Sequence, residues 1–412
     1  SERRMNRLLQ GDVGSGKTVV AVFAMLLAAE GGYQAALMAP TEILAEQHAR
    51  RLSEWLHPLG VGVVLLTGSL SAPSRRAALA SIESGEALLV VGTHALIQDA
   101  VSFDRLGLVV VDEQHRFGVR QRMALVEREG VRPDVVVMSA TPIPRSLAMT
   151  LYGDLDLSVL DELPPGRKPV STTLRAPSGR DEVYAFVDAQ IGEGRQAYIV
   201  YPLVSESEKV DLLAASEEFE RLRDDVFSHR RLGLLHGQLP PAEKDRVMRA
   251  FLAGDLDLVV ATTVIEVGID VENASVMVIE HAERFGLSQL HQLRGRVGRG
   301  AAESHCMLIA EAGEDAWDRL KIMRDTTDGF EVARADLRIR GQGDLFGSQQ
   351  HGRDPLLRFA DLLTDEDLLI EAQWAARALV EADPEFQKPE NERIRGLLEA
   401  RYHDRLEMFG VG

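Results

Sequence analysis

The sequence predicts an α/β protein with two parallel-sheet domains in tandem and a helical segment at the C-terminus. Short, almost continuously apolar runs alternate with helix-like stretches, a pattern typical of parallel strands covered on both faces. The pattern occurs twice, on either side of a proline- and glycine-rich break at residues 164–169 that indicates a linker. A length of 412 residues also suits two or three domains of ordinary size.

Each apolar run is predicted to be a strand. The runs are residues 35–38, 61–66, 87–91, 106–111 and 134–138 in the first series, and 197–200, 231–235, 256–260, 275–279 and 306–309 in the second. From about Trp317 the strand signals stop, and residues 358–380 carry apolar side chains at helical spacing. We therefore predict a first domain at 1–166, a second domain at 167–316, a polar hairpin at 317–352 and a helical C-terminal segment at 353–412.

Composition narrows the class of protein. Hydrophobic residues make up 45% of the chain, which is ordinary for a soluble protein. The longest strongly apolar stretch, residues 19–29, is too short to span a bilayer, so no membrane helix is expected. Cys306 is the only cysteine, which excludes an internal disulfide and fits a reducing cytoplasm. The N-terminus has no signal-peptide pattern and no initiator Met, so we expect a fragment or a processed piece.

The charge balance argues against a general nucleic-acid binder. Acidic residues outnumber basic ones by 64 to 46, giving a formal charge of −18, whereas phosphate contact requires local positive charge. The charge is uneven, however, because one stretch carries four arginines without an intervening acid: Arg284, Arg294, Arg296 and Arg299. If DNA binds, we therefore expect it on a strip of backbone amides with a few arginines.

A glycine-rich loop at residues 11–18, GDVGSGKT, fits the phosphate-loop pattern. Apolar residues before it suit a strand and those after it suit a helix, which is the context that the pattern requires. Amides of such a loop bind phosphate at a helix N-terminus. Lys17 would reach the β- and γ-phosphates, and the Thr18 hydroxyl would bind Mg²⁺. The other nucleotide-binding residues predicted here are Gly11, Gly14, Ser15 and Gly16. A glycine-rich turn with an unrelated lysine is the alternative, and the loop alone does not separate kinases, GTPases and motors.

Two acids follow a buried strand. Asp112 and Glu113 come directly after residues 106–111, and ligand groups collect at the carboxyl ends of parallel strands. Asp112 would hold Mg²⁺ through water, and Glu113 would orient and activate the attacking water. A kinase does not need a water-activating acid, so the pair favours a hydrolase. A solvated acidic turn after the strand is the alternative interpretation. Ser139 and Thr141, after the next strand, would link the acids to the interdomain face or simply cap a helix.

Two arginines of the second domain are predicted to act in trans. Arg296 and Arg299 are three residues apart, so on a helix they would share one face, and the glycines between them would allow a close approach of the backbone. Such arginines would reach across a cleft to the γ-phosphate. An arginine in this role accelerates phosphoryl transfer by roughly 10³–10⁵-fold. A solvated basic helix face is the alternative. Cleft closure on nucleotide binding and opening after hydrolysis would drive stepping along a polymer.

The motifs together resemble superfamily 2 helicases. GDVGSGKT, APTEILAEQH, DEQH, SATPIPRSL, TTVIEVGID and QLRGRVGRG follow one another in that family's order, between Met5 and Arg299. The closer resemblance is to the RecG family, in DEQHRFGVRQR, YGDLDLSVLDELPPGRKP and VIEHAERFGLSQLHQLRGRVGRG. Residues 330–352 resemble the translocation motif that RecG shares with transcription-repair coupling factor. The resemblance implies two RecA-like domains and an ATP- and Mg²⁺-dependent motor that remodels branched or duplex DNA in recombination and repair.

The resemblance also implies residue roles. Asp270 would face the nucleotide sugar, and Gln292 would approach the γ-phosphate. His115, Ser139, Thr141, Arg340 and Gln350 would couple hydrolysis to movement. Loop residues expected to contact the DNA backbone, without reading base sequence, are Pro40, Thr41, Thr67, Gly68, Thr93, His94, Thr262 and Thr263.

The family's wedge domain, which engages branched DNA, is not recognisable in the chain and is expected in the full-length protein. We expect a monomer without a membrane partner. Four other interpretations remain. They are a coupling-factor-type duplex translocase, an RNA helicase, a nucleotide kinase and a non-catalytic nucleotide-binding scaffold. A kinase would transfer phosphate to an acceptor other than water, and a scaffold usually loses Lys17, Glu113 or the arginines, all of which are present.

Overall fold

The computed structural model describes residues 4–113, 133–141, 155–162, 168–202, 216–262, 271–300, 302–311, 313–340, 365–398 and 400. The described residues up to Ile339 form one compact unit, which contains both sheets, and those from Arg340 onward belong to a second, smaller unit.

Seven strands within the described residues form the first sheet. They are β1 (Asn6–Gly11), β2 (Gln34–Met38), β3 (Val63–Leu66), β4 (Leu89–Gly92), β5 (Leu106–Val111), β6 (Asp134–Ser139) and β7 (Asp156–Leu160). All pairs are parallel, in the order β3-β4-β2-β5-β6-β1-β7. The apolar runs predicted in this part of the chain are confirmed as strands. Strand β7 was not predicted, because all five of its residues are only half-buried at the sheet edge and its apolar signal is weak.

The second sheet contains six strands among the described residues. They are β8 (Ser171–Arg175), β9 (Gln196–Val200), β10 (Leu232–Leu235), β11 (Leu258–Ala261), β12 (Ala274–Ile279) and β13 (His305–Ile309). All pairs are again parallel, in the order β10-β11-β9-β12-β13-β8. This order repeats that of the first sheet from β3 to β1, so the two domains share one topology. The sequence predicted five of these strands, including the edge strand β10, and missed β8, whose residues are largely polar.

Helices cover the sheets and continue beyond them. Their bounds are α1 (Lys17–Glu30), α2 (Glu42–Leu56), α3 (Ala72–Glu83), α4 (Arg180–Gly192), α5 (Pro241–Leu252), α6 (Leu287–Arg294), α7 (Glu314–Asp325), α8 (Gly329–Arg340) and α9 (Glu366–Ala382). Helices α1 and α2 bury their apolar faces on one side of the first sheet, and α3 covers the other side. Of the helices that the structure describes, none combines the length and the apolar character needed to cross a membrane.

A buried glutamine begins the equivalent central strand in each sheet. Gln34 donates to the carbonyls of Ile82 and Ala87, and Gln196 donates to the carbonyls of Phe251 and Leu256. In each domain the amide therefore satisfies buried carbonyls where a helix turns back into the neighbouring strand, since an unpaired buried carbonyl would be costly. The same pattern of glutamine hydrogen bonds in both domains supports their structural equivalence. The sequence shows no strict repeat that would have predicted it.

Helix α2 links the two sheets. Its residue Ile43 is 3% exposed and packs into the core of the second sheet, although α2 belongs to the first domain. One turn later, Glu46 forms a two-pronged ion pair with Arg249 of α5 at 2.8 Å. A buried isoleucine contributes roughly 1.5–3 kcal/mol, whereas a solvent-exposed ion pair contributes about 0.2–1 kcal/mol. Apolar packing at Ile43 therefore dominates this contact, and it brings the carboxyl edge of the first sheet close to the second domain.

Candidate ATPase site and nucleic-acid interface

The phosphate loop connects β1 to α1, as predicted. Its backbone requires glycine at two points: Gly16 has φ +96°, and a Cβ at Gly11 would overlap Ser15 Oγ and lie 3.0 Å from Leu160 Cβ. Gly14 also has a positive φ, of 75°. Left-handed and tightly packed positions of this kind are accessible to glycine at little cost. The loop is thereby shaped so that backbone amides precede the N-terminus of α1, where negative charge is favoured.

Lys17, the first residue of α1, points back into the loop. Its Nζ donates to the carbonyls of Gly11 and Asp12, each at 2.8 Å. Burial lowers the pKa of Lys17 to about 8, although the nearby carboxylates of Asp112, Glu113 and Asp12 act in the opposite direction. The ammonium therefore lies in a buried position where an anion, such as a phosphate group, would stabilise its charged form.

Asp112 lies at the end of β5 and is anchored on both sides. Its backbone N–H donates to the Met38 carbonyl at 2.9 Å, and its Oδ2 lies 2.8 Å from His48 Nε2. Burial alone would raise the pKa of Asp112, but the hydrogen bond and charge of His48 and the charge of Lys17 outweigh it and hold that pKa below its ordinary value. Asp112 is therefore an ionised carboxylate in fixed orientation.

Glu113 has an unusual backbone conformation. Its φ of 52° is left-handed, and its N–H donates to Asp112 Oδ1 at 3.0 Å. Such a conformation costs a non-glycine residue of order 1 kcal/mol and is found mainly at functional sites. Here it turns the chain sharply at the strand end, so that both acids contribute to the cavity described below.

The two predicted trans-acting arginines do not lie on a helix. Helix α6 ends at Arg294, so Arg296 and Arg299 lie on the loop that follows, and the expectation of a shared helix face is wrong for this reason. Gly295 makes the loop's approach to the first domain possible, since a Cβ there would lie 2.9 Å from Val13 Cγ2. The close backbone approach expected from the glycines therefore occurs at the phosphate loop itself.

One cavity of about 210 Å³ contains these groups. It is lined by the phosphate loop, by one face of α2, by the two acids and by both arginines, among them Lys17, Thr18, Asp112, Glu113, Arg296 and Arg299. Cations and carboxylates from the two domains thus line the same cavity, which is the arrangement needed to hold a polyphosphate and act on its terminal group.

Gln292 and Thr141 meet across the domain boundary. Gln292 Nε2 donates to Thr141 Oγ1 at 2.6 Å, and the Thr141 carbonyl accepts from Gln10 Nε2 at 3.2 Å. Ser139 Oγ accepts the backbone N–H of Thr141 at 3.2 Å. The segment after β6 is thus tied to β1 and to α6, while the approach of Gln292 to a γ-phosphate stays a prediction.

The residues predicted to hold Mg²⁺ fit that ion chemically. Asp112 is ionised, and its two oxygens already accept from His48 and from the Glu113 amide, which leaves lone pairs suited to binding through water. Thr18 lines the same cavity. A hydroxyl, a carboxylate and phosphate oxygens are typical Mg²⁺ ligands, because this ion usually retains several waters. The donor set thus suits a metal that arrives with the nucleotide.

The predicted DNA-contacting loops of the first domain lie side by side. Pro40 and Thr41 follow β2, Thr67 and Gly68 follow β3, and Thr93 and His94 follow β4, and these three strands are neighbours in the sheet. Both Thr41 Oγ1 and Thr93 Oγ1 accept backbone N–H groups, at 3.4 Å. Since Thr67 and Thr93 are buried and Pro40 and Thr41 are half-buried, Gly68 and His94 are the most exposed of these six residues.

In the second domain, Thr262 follows β11 and is buried; within the described part of the chain its Oγ1 has no hydrogen-bond partner. Four predicted site residues lie outside the described residues: Asp270, Thr263, His115 and Gln350. Arg340 is the last residue of α8.

Two residues of the site, His48 and His291, were missed by the sequence reasoning. His48 lies one turn after Leu44, and both line the cavity; a lone histidine on the apolar face of a helix gave no signal of its contact with Asp112. His291 bonds to Asp12, and Arg294, counted from sequence among possible phosphate-binding arginines, is only 3% exposed and bonds within the protein. The acid-free arginine stretch is therefore partly structural.

Comparisons with known proteins agree with this geometry. Residues 2–150 match the DEAD/DEAH box helicase family, residues 181–301 the helicase conserved C-terminal domain, and residues 326–403 the C-terminal part of domain 3 of the ATP-dependent DNA helicase RecG. The chain is 52% identical to the RecG of Synechocystis sp. over 95% of its length, and 51% identical to that of Thermotoga maritima over 96%. Over most of its length the chain is thus similar to RecG proteins, and its C-terminal region matches a RecG family model.

A solved structure of RecG bound to a three-way DNA junction is also similar. It has a TM-score of 0.76 and 50% sequence identity, and the match covers 90% of this chain and 48% of that one. The chain also covers only 47% of the Synechocystis protein and 50% of the Thermotoga protein. It therefore spans about half the length of the RecG proteins that it matches. Two α/β domains followed by a helical C-terminal region, as predicted, are confirmed.

Proposed function

We propose that the chain is the ATP-hydrolysing motor of a DNA helicase that moves on duplex DNA and remodels branched DNA such as stalled forks and Holliday junctions. One observation carries the proposal. A single cavity is lined by Lys17, by Asp112 and Glu113 from one sheet domain, and by Arg296 and Arg299 from the other. An ATPase site shared between two domains is what converts nucleotide turnover into domain movement.

The chemistry follows from the positions of these groups. The phosphate-loop amides and Lys17 bind the β- and γ-phosphates. Asp112 and Thr18 would hold Mg²⁺, which would neutralise charge on the phosphate oxygens. Glu113 accepts a proton from the attacking water. Arg296 and Arg299 stabilise the charge that develops on the transferred phosphoryl group. Because the arginines belong to the second domain, the cleft must be closed for hydrolysis to be fast.

DNA is proposed to bind along the carboxyl edges of the sheets. The loops after β2, β3 and β4 offer backbone groups and the exposed His94, and Thr262 directly follows β11, the strand of the second domain that is equivalent to β4. A formal charge of −18 weakens non-specific attraction to phosphate, although the chain carries 46 basic residues. We therefore propose that a wedge domain in the full-length protein adds DNA affinity and selects branched substrates, and that the protein acts as a cytoplasmic monomer.

The direct test is steady-state ATP hydrolysis by this chain, measured with and without Mg²⁺. Three DNA conditions are compared: no DNA, linear duplex and a synthetic fork. Replacing Glu113 by Gln is expected to lower kcat by about 10²–10⁴-fold, since the amide does not accept the water proton. Duplex DNA is expected to raise the rate of the parent chain.

The exposed Glu193 provides the matched control, because Glu193→Gln makes the same chemical change far from the cavity. If the Glu113→Gln variant hydrolysed ATP as fast as the parent, the assignment of Glu113 as the water-activating residue would be refuted. Phosphoryl transfer to an acceptor other than water would favour a kinase, and stimulation by RNA instead of DNA would favour an RNA helicase.

Arg340 is expected to couple hydrolysis to movement, by the resemblance of residues 330–352 to the translocation motif. Arg340→Ala should leave DNA-stimulated hydrolysis within about twofold of the parent and abolish displacement of a third strand from duplex DNA. The expected change in the hydrolysis rate is small because Arg340 takes no part in the proposed chemistry at the ATPase site. Arg338→Ala, two residues earlier in α8 and exposed, is the control. Loss of both activities together, or of neither, would contradict a coupling role.

A further inference from the structure

A buried chain of hydrogen bonds runs from the phosphate loop into the second domain through α6. His291 Nε2 lies 2.7 Å from Asp12 Oδ1, and His291 is only 4% exposed. The same carboxylate oxygen accepts the backbone N–H of Val13 at 2.6 Å. Asp12 is therefore shared between the phosphate loop to which it belongs and a helix that lies 279 positions further along the chain.

The position of Arg294 fixes the proton on His291. Arg294 Nη2 lies 2.9 Å from His291 Nδ1. A guanidinium group has only donors, so Nδ1 must accept, and the ring proton must lie on Nε2, facing Asp12. The imidazole therefore donates to Asp12 and accepts from Arg294, and neither contact survives in the other tautomer.

Arg294 is itself held by the second domain. Its Nη1 donates to the carbonyls of Met323 and Thr326 at 2.7 and 2.8 Å, and a longer contact of 3.5 Å reaches Thr172 Oγ1. These acceptors lie at the end of α7, just after it, and in β8. The orientation of His291 is thus set by the framework of the second domain, and any displacement of that domain is transmitted to Asp12.

Asp12 is well placed to pass such a displacement to the nucleotide-binding groups. Its side chain fixes the Val13 amide, while its backbone carbonyl accepts from Lys17 Nζ at 2.8 Å and from the Ser15 amide at 3.1 Å. Three of the loop's donors are therefore oriented by this one residue. A shift of Asp12 would change the direction of the amides and the ammonium that receive phosphate.

We propose that His291 is a positioning residue that lets the second domain set the geometry of the phosphate loop through Asp12, so that nucleotide affinity depends on how the two domains are packed. The proposal rests on the proposed ATPase function and adds a link that does not involve Arg296 or Arg299. His291 contacts neither the phosphates nor the water in this scheme. It acts only through Asp12.

Two substitutions at one position test the link. His291→Asn retains an acceptor near Arg294 but is too short to reach Asp12, and we expect the KM for ATP to rise about tenfold, the effect of losing one charge-assisted hydrogen bond. His291→Gln places an amide donor where Nε2 was, and we expect its KM to stay within about threefold of the parent. Combining Asp12→Ala with His291→Asn should raise KM no further than Asp12→Ala alone, because the contact with His291 is already absent in that variant.

The control is His229→Asn, which breaks an exposed histidine–carboxylate pair of 2.9 Å with Asp188 inside the second domain. Its KM should equal that of the parent. Equilibrium binding of a fluorescent ATP analogue is measured beside hydrolysis for every variant. A parent that binds the analogue but does not hydrolyse ATP would refute the proposed function, while the binding series still tests the link.

An unchanged KM and analogue affinity in His291→Asn would overturn the proposal. An equal loss of nucleotide affinity in His291→Asn and His291→Gln would also overturn it. A lower melting temperature with unchanged affinity would assign His291 a purely structural role and would also overturn it. Additive effects of Asp12→Ala and His291→Asn would show that the two residues act separately.

Discussion

Replacement of Lys17 by alanine is expected to reduce ATP hydrolysis by at least about 10³-fold, the scale of losing a preorganised charge from a desolvated site. Lys17 is 9% exposed and lines the cavity that also contains Asp112 and Glu113. Without it, two carboxylates would face the incoming phosphates with only the arginines of the cavity to compensate their charge. Both nucleotide affinity and kcat should therefore fall, which steady-state kinetics and equilibrium binding of an ATP analogue would measure.

The fold should survive this change. The ammonium bonds to two loop carbonyls, those of Gly11 and Asp12, and its burial costs free energy, as the lowering of its pKa to about 8 indicates. We expect a melting temperature close to that of the parent. Lys321→Ala, an exposed lysine on α7, serves as the control and should hydrolyse ATP normally. Hydrolysis at the parental rate by Lys17→Ala would refute the assignment of the whole site.

The second large effect is expected at the arginines of the other domain. Arg296→Ala and Arg299→Ala should each lower kcat by about 10³-fold or more, with a smaller change in KM, because an arginine finger acts mainly on the transition state. Arg299→Lys should recover only part of the rate, since an ammonium does not reproduce the planar fork of the guanidinium group. Single-turnover hydrolysis separates this loss from a change in product release.

Arg284 provides the matched control for these two variants. It belongs to the same acid-free arginine stretch, but its side chain is 46% exposed and lies beside Glu283. Arg284→Ala should therefore hydrolyse ATP at the parental rate. If Arg296→Ala and Arg299→Ala mainly raised KM and left kcat unchanged, they would be ground-state binding residues, and the finger role would be refuted.

Much of the fold could be predicted because its signals are local. The inner strands of both sheets are apolar on both faces, so the composition of each run reports its burial directly. The phosphate loop and the acid pair were also found, since each is a short run whose spacing serves its chemistry. The edge strands β7 and β8 were missed because each carries polar residues among its few apolar ones, whereas the equally half-buried edge strands β3 and β10 are apolar throughout and were predicted.

The sequence by itself determined the class of fold, the phosphate loop, the acid pair and the arginines that complete the cavity. Only the tertiary structure decided how distant residues meet: His48 on Asp112, Ile43 in the core of the second sheet, and His291 on Asp12. It also decided that Arg294 is buried in the protein, whereas Arg296 lines the cavity. The physical reason is that spacing along the chain fixes neighbours within one turn or strand, whereas these contacts depend on how whole domains pack.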